Sequence, residues 1–211
     1  MNMNNLMSKV LAVCQWILDF AILNFLFVAG TLMGGVVLGF FPAFFATIAV
    51  LRRLLIEEGK IAIVKPFIQA YKENFVPSLK IGYLSLFVMG IAFSNVMFWR
   101  QIEGIEWSGF LSIGWFVVLV GVTLATLLVT PIAVHEKLTI KETARLFLFS
   151  FGQLHLSLML LAGLVVIYFG FWYITGAFIF LGGSLALAWV TFSSHMLVKR
   201  VEKLQSSKKL L

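Results

Sequence analysis

Residues 108–130, SGFLSIGWFVVLVGVTLATLLVT, form an apolar stretch that contains no charged side chain. An α-helix rises 1.5 Å per residue, so about 20 residues cross the ~30 Å hydrocarbon core of a bilayer. A transmembrane barrel would alternate apolar and polar residues over segments of about 10, and this stretch does not alternate. It therefore predicts a membrane-spanning helix, since such a helix satisfies its own backbone hydrogen bonds in lipid.

The rest of the chain has the same character. Of its 211 residues, 61% are hydrophobic and 12% are charged, whereas a soluble domain is about 45–50% apolar and about 25% charged. The predicted spans are Val10–Thr31, Gly34–Leu51, Ile81–Phe98, Ser108–Thr130, Leu146–Ile167 and Gly170–Leu197. We predict an all-α, polytopic transmembrane helix bundle of about six helices, folded as a single domain over residues 1–211.

The second predicted span leaves an alternative open. Gly34–Leu51 is short and contains Pro42, so it predicts either a complete crossing or a half-helix that re-enters the membrane. Proline suits the first turn of a helix, and we expect Pro42 to begin this one. A five-helix arrangement would let residues 10–51 cross once, but 42 residues are too many for one crossing at ~1.5 Å per residue.

The basic residues predict the orientation. With six spans, 15 of the 16 Lys and Arg residues fall on one side, and only Arg100 falls on the other. Basic residues flanking spans are enriched on the cytoplasmic side, so both termini are predicted to be cytoplasmic. A five-helix arrangement moves only Lys9 and keeps the asymmetry. Topology also accounts for the net charge of +7, and we expect no nucleic-acid partner.

An amphipathic cytoplasmic segment is predicted at about residues 61–78. Phe67, Tyr71 and Phe75 recur at helical spacing, and polar residues lie between them, which is typical of a helix lying on a membrane surface. These three aromatic residues are our candidate partner surface. Residues 141–153 repeat the pattern more weakly, which suggests an internal duplication.

Three polar residues within the spans are candidate functional groups. Asp19 lies about ten residues into the first span, and an ionisable residue inside a membrane indicates a functional site by default. Asn24 and Asn95 are the other candidates. Asp19 could couple proton or cation movement, with the two asparagines lining a path, which would make the chain a secondary transporter. The alternative is structural, since such residues usually form hydrogen bonds between helices.

The sequence offers no catalytic or metal-binding pattern. His135, His155 and His195 are not spaced four residues apart, and no paired-cysteine, nucleophile-elbow or phosphate-loop motif occurs. Metal ligands and general acid–base pairs need clustered side chains. We therefore expect no enzyme activity, no cofactor and no metal.

Glycine pairs four residues apart occur where the first two spans meet. Gly30 pairs with Gly34, and Gly35 pairs with Gly39. Small residues at this spacing let helices approach closely in membranes. They predict close packing within the chain, and the alternative is contact between two copies in a homo-oligomer.

These residues together resemble the YesL-like family of bacterial membrane proteins, which is defined by a domain of unknown function. The matching elements are Asn24–Phe27, Gly39–Ala43, Arg52–Arg53, Phe67 and Tyr71–Phe75, and the resemblance is good over residues 10–90. It implies a multi-pass protein of the bacterial cell (inner) membrane. Genes of that family often lie beside carbohydrate ABC-transporter permeases and glycan-degrading enzymes. No catalytic residue comes with the family.

The resemblance makes an accessory role the leading expectation. The chain lacks the cytoplasmic coupling motif of an ABC permease, which argues against its being the permease itself. We therefore expect a non-catalytic protein that assists a carbohydrate uptake (ABC transporter) system. Its partners would be the lipid bilayer and the carbohydrate ABC-transporter permease subunits. The secondary transporter that uses Asp19 stays the alternative.

Overall fold

The computed structural model describes residues 3–56, 62–102, 106–135, 140–172 and 181–209, and over these ranges it contains helices and no strand. The helices are α1 (Met3–Met33), α2 (Val37–Ile56), α3 (Val64–Glu73), α4 (Phe75–Gln101), α5 (Ser108–His135), α6 (Ile140–Phe151), α7 (Leu154–Trp172) and α8 (Gly183–Lys209). The prediction of an all-α chain is thus confirmed for the residues described.

Four of these helices are long and apolar enough to cross a membrane. The candidate spans are Met7–Met33, Val37–Leu55, Phe75–Gln101 and Ser108–Ala133, and they correspond to the first four predicted spans. Many of their large apolar side chains are exposed, such as Phe25 at 72% and Phe110 at 70%. Exposed apolar surface on this scale indicates contact with lipid or with another membrane protein.

A sharp turn at residues 34–36 separates α1 from α2. Gly35 and Val36 both have positive φ, 69° and 62°, and the turn directs α2 away from the end of α1. The single crossing of residues 10–51 is therefore wrong. Pro42 also does not begin α2, because the turn lets the helix start at Val37. The helix is continuous across this proline, so α2 is a full-length candidate span and not a half-helix.

The fifth predicted span, Leu146–Ile167, is not one straight helix. Its residues divide between α6 and α7, which are bent by 83° relative to each other. The helical hydrogen-bond pattern tightens at the break, where Gly152 N donates to Phe149 O at 3.0 Å and Gln153 N donates to Ser150 O at 3.0 Å. Glycine disfavours helix interiors, and the chain turns there. The pair can still form one broken span.

The sixth predicted span, Gly170–Leu197, runs over residues 173–180, which lie outside the described residues. The number of crossings and the cytoplasmic location of both termini therefore stay predictions. The described residues group into two compact units, residues 1–75 with 162–192 and residues 76–161 with 193–211. The prediction of one domain is not tested by this grouping.

The first unit is built around α1, α2 and α3. Phe20 and Leu23 of α1, Ala46 and Val50 of α2, and Phe67 of α3 belong to one buried apolar cluster. Burying such a side chain away from water contributes about 1.5–3 kcal/mol. Between helices in lipid that gain is absent, and close packing of the side chains stabilises the cluster instead. The cluster therefore fixes α3 against the two long helices.

The second unit contains α4, α5 and α6. Ser112 of α5 donates to Val96 O of α4 at 3.5 Å, and the ring of Phe151 in α6 lies against Gly121 of α5. A Cβ added at Gly121 would approach the Phe151 ring to 2.9 Å. The absence of a side chain at Gly121 is thus what lets α6 pack closely on α5.

Candidate functional site

The amphipathic segment predicted at residues 61–78 forms a shorter helix than expected. Residue 61 lies outside the described residues, α3 runs from Val64 to Glu73, and residues 75–78 already belong to α4. Asn74 ends α3, because both its backbone N–H and its side-chain amide donate to Ala70 O at 3.0 Å. The segment thus contains a helix, and its cytoplasmic location stays a prediction.

The aromatic side of α3 is turned inward. Phe67 is only 3% exposed and belongs to the buried cluster, and Tyr71 is half-buried. The rings of Phe67 and Tyr71 stack at 6.3 Å, and those of Tyr71 and Phe75 meet edge to face at 5.7 Å. Such contacts add about 0.5–1.5 kcal/mol per pair beyond area burial.

A hydrogen bond ties this aromatic row to α1. The Tyr71 hydroxyl donates to Gly30 O at 2.9 Å. Gly30 lies in the last turns of α1, where backbone carbonyls lose their helical partners. Burial raises the pKa of Tyr71 above its ordinary value, so the hydroxyl keeps its proton and remains a donor at neutral pH.

Gly30 is the point where three helices meet. A Cβ added there would lie 3.3 Å from Ala43 Cβ, 3.3 Å from Tyr71 Cε2 and 3.4 Å from Phe67 Cζ. The close packing that the glycine spacing predicts is therefore confirmed within one chain at this position.

The structure does not place Phe67, Tyr71 and Phe75 together on an exposed surface. Phe67 cannot meet a partner, because α1 and α2 already cover it. The hydrophobic pattern could not distinguish a face that packs on membrane headgroups from one that packs on neighbouring helices. The outward face of α3 carries Lys65, Ile68, Gln69 and Lys72, all exposed.

Asp19 lies within the first candidate span and is partly buried. Among the side chains that the structure describes, none forms a hydrogen bond or ion pair with its carboxylate. A carboxylate in a membrane span without a partner is costly. This is the property that a coupling carboxylate would show, and the functional role of Asp19 stays a prediction.

Asn24 lies one turn further along α1, at its contact with α8. It is 9% exposed, and a Cβ added at Gly183 would come within 2.7 Å of Asn24 Oδ1. Next to it, Ser184 donates to Phe20 O at 2.9 Å. These contacts place Asn24 at a tight helix–helix junction, as the structural alternative expects.

Asn95 lies in the second unit, partly buried on α4. Its side-chain amide donates to Ile91 O of its own helix at 2.9 Å. Asp19 and Asn24 belong to the first unit, and whether the three residues line one path stays a prediction. In the parts of the chain with described side chains, no three His, Cys, Asp or Glu residues cluster to suit a metal ion.

Part of the chain matches a known sequence family. Residues 20–96 match the family described as "Protein of unknown function, DUF624". The match covers the second half of α1, all of α2 and α3, and most of α4. It contains five of the six candidate residues and begins one residue after Asp19.

A relative extends the similarity to most of the chain. Over 187 residues, the chain is 29% identical to the uncharacterized protein YteU of Bacillus subtilis (strain 168), which covers 85% of this chain and 80% of YteU. No solved structure matches. The comparisons thus give a match to a family of unknown function over part of the chain and a similarity to one uncharacterized bacterial protein, and the YesL-like name stays a prediction.

Two contacts at the site were not predicted from the sequence. Gly183 and Ser184 contact α1 across a separation of about 160 residues, and nothing in the local pattern pairs them with Asn24 and Phe20. The bond from Tyr71 to Gly30 was also missed. The glycine pairs were a signal for a close approach, but not for the residue that approaches.

Proposed function

We propose that this chain is a YesL-like, multi-pass protein of the bacterial cell membrane and a non-catalytic accessory subunit of a carbohydrate uptake (ABC transporter) system. Its long apolar helices are compatible with a membrane protein, residues 20–96 match a family of unknown function, and the chain is similar to an uncharacterized bacterial protein. The role in carbohydrate uptake is what the resemblance to the YesL-like family implies.

The observation that carries the proposal is the outward face of α3. Lys65, Ile68 and Lys72 lie three or four residues apart and are exposed, which is the spacing by which a helix engages a groove on a partner. Ile68 is 46% exposed, an apolar residue between two cations. Phe67 and Tyr71 pack the opposite side of α3 against the first unit. The outward face of α3 is therefore held in a fixed position.

The partner would dock on this outward face. A rigid helix binds with a smaller entropy cost than a flexible segment, and the buried cluster supplies that rigidity. Gln69 donates to Glu73 at 2.8 Å, which keeps both side chains along the helix and leaves the two lysines accessible. An acidic and apolar groove on a permease subunit would complement the face.

The test is affinity purification from native membranes in mild detergent, followed by mass spectrometry. The wild-type chain should retain a carbohydrate ABC permease subunit in stoichiometric amount. Lys65→Glu combined with Lys72→Glu should release it, because the reversed charges oppose an acidic groove. Lys199→Glu, an exposed cation on α8, is the matched control and should keep it. Retention by the double variant would contradict docking through α3, and the absence of a permease subunit would contradict the carbohydrate role.

A secondary transporter is the second candidate, and it rests on the carboxylate of Asp19, which has no partner among the side chains that the structure describes. In proteoliposomes, Asp19→Asn should abolish pH-dependent solute flux, because an amide cannot gain and lose the coupled proton. Glu106→Gln, at an exposed position between α4 and α5, is the control and should leave flux intact. A wild-type protein that shows no flux would end this alternative.

A further inference from the structure

A cleft of about 260 Å³ opens within the second unit. Its apolar wall is formed by Ile81, Leu84 and Val88 of α4, Val122 of α5 and Phe147 of α6. Pockets that enclose a complete small ligand are usually ~300–1,000 Å³. This volume therefore suits one part of a larger molecule.

Two of the three hydroxyls in the wall are satisfied within their own helices, and the third belongs to Thr143. Ser85 donates to Ile81 O at 2.9 Å, and Thr126 donates to Val122 O at 2.8 Å. Both hydroxyl protons are thus used by the backbone. The wall offers mostly methyl, methylene and ring surface, so it recognises a hydrocarbon and not a sugar or another polar solute.

The position of the cleft along the helices is specific. Its lining on α4 extends over residues 81–88, in the first half of that helix, and its lining on α5 is Val122 at the middle and Thr126 in the second half. The cleft therefore lies in the half of the second unit toward the start of α4 and the end of α5, beside the short helix α6. The basic-residue count predicts that this end faces the cytoplasm, where anionic lipids are concentrated.

Cations border the same end of the cleft. Lys80 directly precedes the lining residue Ile81, and Lys141 and Arg145 flank the lining residues Thr143 and Ala144. All three cations are exposed. Glu142 is the one acidic residue of α6, so these three cations and this carboxylate have a formal net charge of +2. Arg and Lys are the usual ligands of phosphate oxygens.

We propose that this cleft binds an anionic phospholipid, with one acyl chain against α4 and α5 and the phosphate near Lys80, Lys141 and Arg145. The apolar wall accounts for the chain, and the charge complementarity accounts for the headgroup. A basic amphipathic helix at an interface binds anionic lipid in the same way. The proposal does not depend on the accessory role.

The first test fills the cleft. The full-length protein is reconstituted in vesicles of phosphatidylglycerol and phosphatidylcholine in equal parts, extracted in mild detergent, and examined by native mass spectrometry. Ser85→Phe should reduce the retained phospholipid severalfold, because its ring occupies space against which the acyl chain would pack. Ser94→Phe places the same ring at an exposed site on the same helix and should retain wild-type amounts.

The second test changes the headgroup site without altering packing. Lys141→Gln combined with Arg145→Gln changes only exposed side chains, so the variant should fold even if Ser85→Phe does not. It should lose the preference for phosphatidylglycerol over phosphatidylcholine. Lys9→Gln combined with Lys199→Gln removes two exposed cations elsewhere in the chain and should keep that preference.

Two results would overturn the proposal. Equal phospholipid retention by Ser85→Phe and Ser94→Phe would show that the cleft holds no chain. An unchanged lipid preference in the Lys141→Gln, Arg145→Gln variant would show that the mouth does not recognise an anionic headgroup.

Discussion

The hydroxyl of Tyr71 in α3 donates a hydrogen bond to the carbonyl oxygen of Gly30 in α1, at 2.9 Å and across 41 residues of sequence. The same carbonyl receives only a long bond, 3.3 Å, from Gly34 N. The tyrosine therefore completes the hydrogen bonding of a carbonyl near the end of a helix. Through this one side chain, the short helix α3 is anchored to α1.

Removing that hydroxyl should weaken the first unit. Tyr71→Phe keeps the stacked ring but loses the hydrogen bond, and we expect a loss of about 1 kcal/mol in the free energy of unfolding. Thermal unfolding in detergent measures it. Because burial raises the pKa of Tyr71, its full contribution to stability should persist up to about pH 10, the unperturbed pKa of tyrosine, and the hydroxyl of the folded protein should keep its proton beyond that pH. Above that pH the unfolded state ionises first and stability falls, and the variant should lack this contribution. An unchanged melting curve for Tyr71→Phe would contradict the anchoring role.

The two faces of α3 should respond differently to truncation. Phe67→Ala removes a buried ring and should destabilise the protein by about 3–5 kcal/mol. Ile68→Ala, at the neighbouring but exposed position, should change stability by no more than about 0.5 kcal/mol. Denaturation in detergent of both variants measures the difference. Equal losses would mean that α3 is not oriented with its aromatic face inward.

The turn between α1 and α2 should tolerate glycine better than its native valine. Val36 has φ of 62°, a conformation that strains a β-branched residue. Val36→Gly should therefore raise the free energy of unfolding by about 1 kcal/mol. Val37→Gly, one residue later at the start of α2, is the control and should lower stability, since glycine disfavours a helix. Thermal unfolding of the pair decides the matter, and a destabilised Val36→Gly would argue against the strained turn.

Two buried serines should give opposite results when changed to alanine. Ser150 is fully buried, and its hydroxyl has no hydrogen-bond partner in the part of the chain that the structure describes. Ser150→Ala should therefore stabilise the protein by about 1 kcal/mol. Ser184 is also buried but donates to Phe20 O, so Ser184→Ala should lose about 1 kcal/mol. Differential scanning calorimetry compares them, and a loss of stability in both would reveal a partner for Ser150.

Two glycines within helices, Gly163 and Gly90, should respond differently to replacement by alanine. A Cβ at Gly163 would overlap the indole ring of Trp189, so Gly163→Ala should cost about 1–3 kcal/mol through overpacking. A Cβ at Gly90 meets nothing within 4 Å, and Gly90→Ala should be neutral or stabilise by up to about 1 kcal/mol. Melting temperatures of the two variants provide the measurement. A stable Gly163→Ala would show that the indole moves aside at little cost.

Much of the secondary structure was accessible from local pattern. The apolar stretches that became α1, α2, α4 and α5 could be recognised because a membrane requires long apolar helices. Amphipathic spacing likewise indicated α3. The bend at Gly152 was missed because a lone glycine is often tolerated within a spanning helix. Pro42 was misplaced because proline signals a helix start more often than a helix interior.

The amino-acid order alone thus established an all-helical chain with several candidate spans, since backbone hydrogen bonding and hydrocarbon thickness act on each segment separately. Tertiary structure decided which way each face points. An apolar face on a short helix fits lipid headgroups and neighbouring helices equally well, and only the packing of α1 and α2 turned Phe67 inward and left Ile68 outside. The junction of Asn24 with Gly183 and the cleft beside α6 also depend on contacts between residues far apart in sequence, which no local pattern specifies.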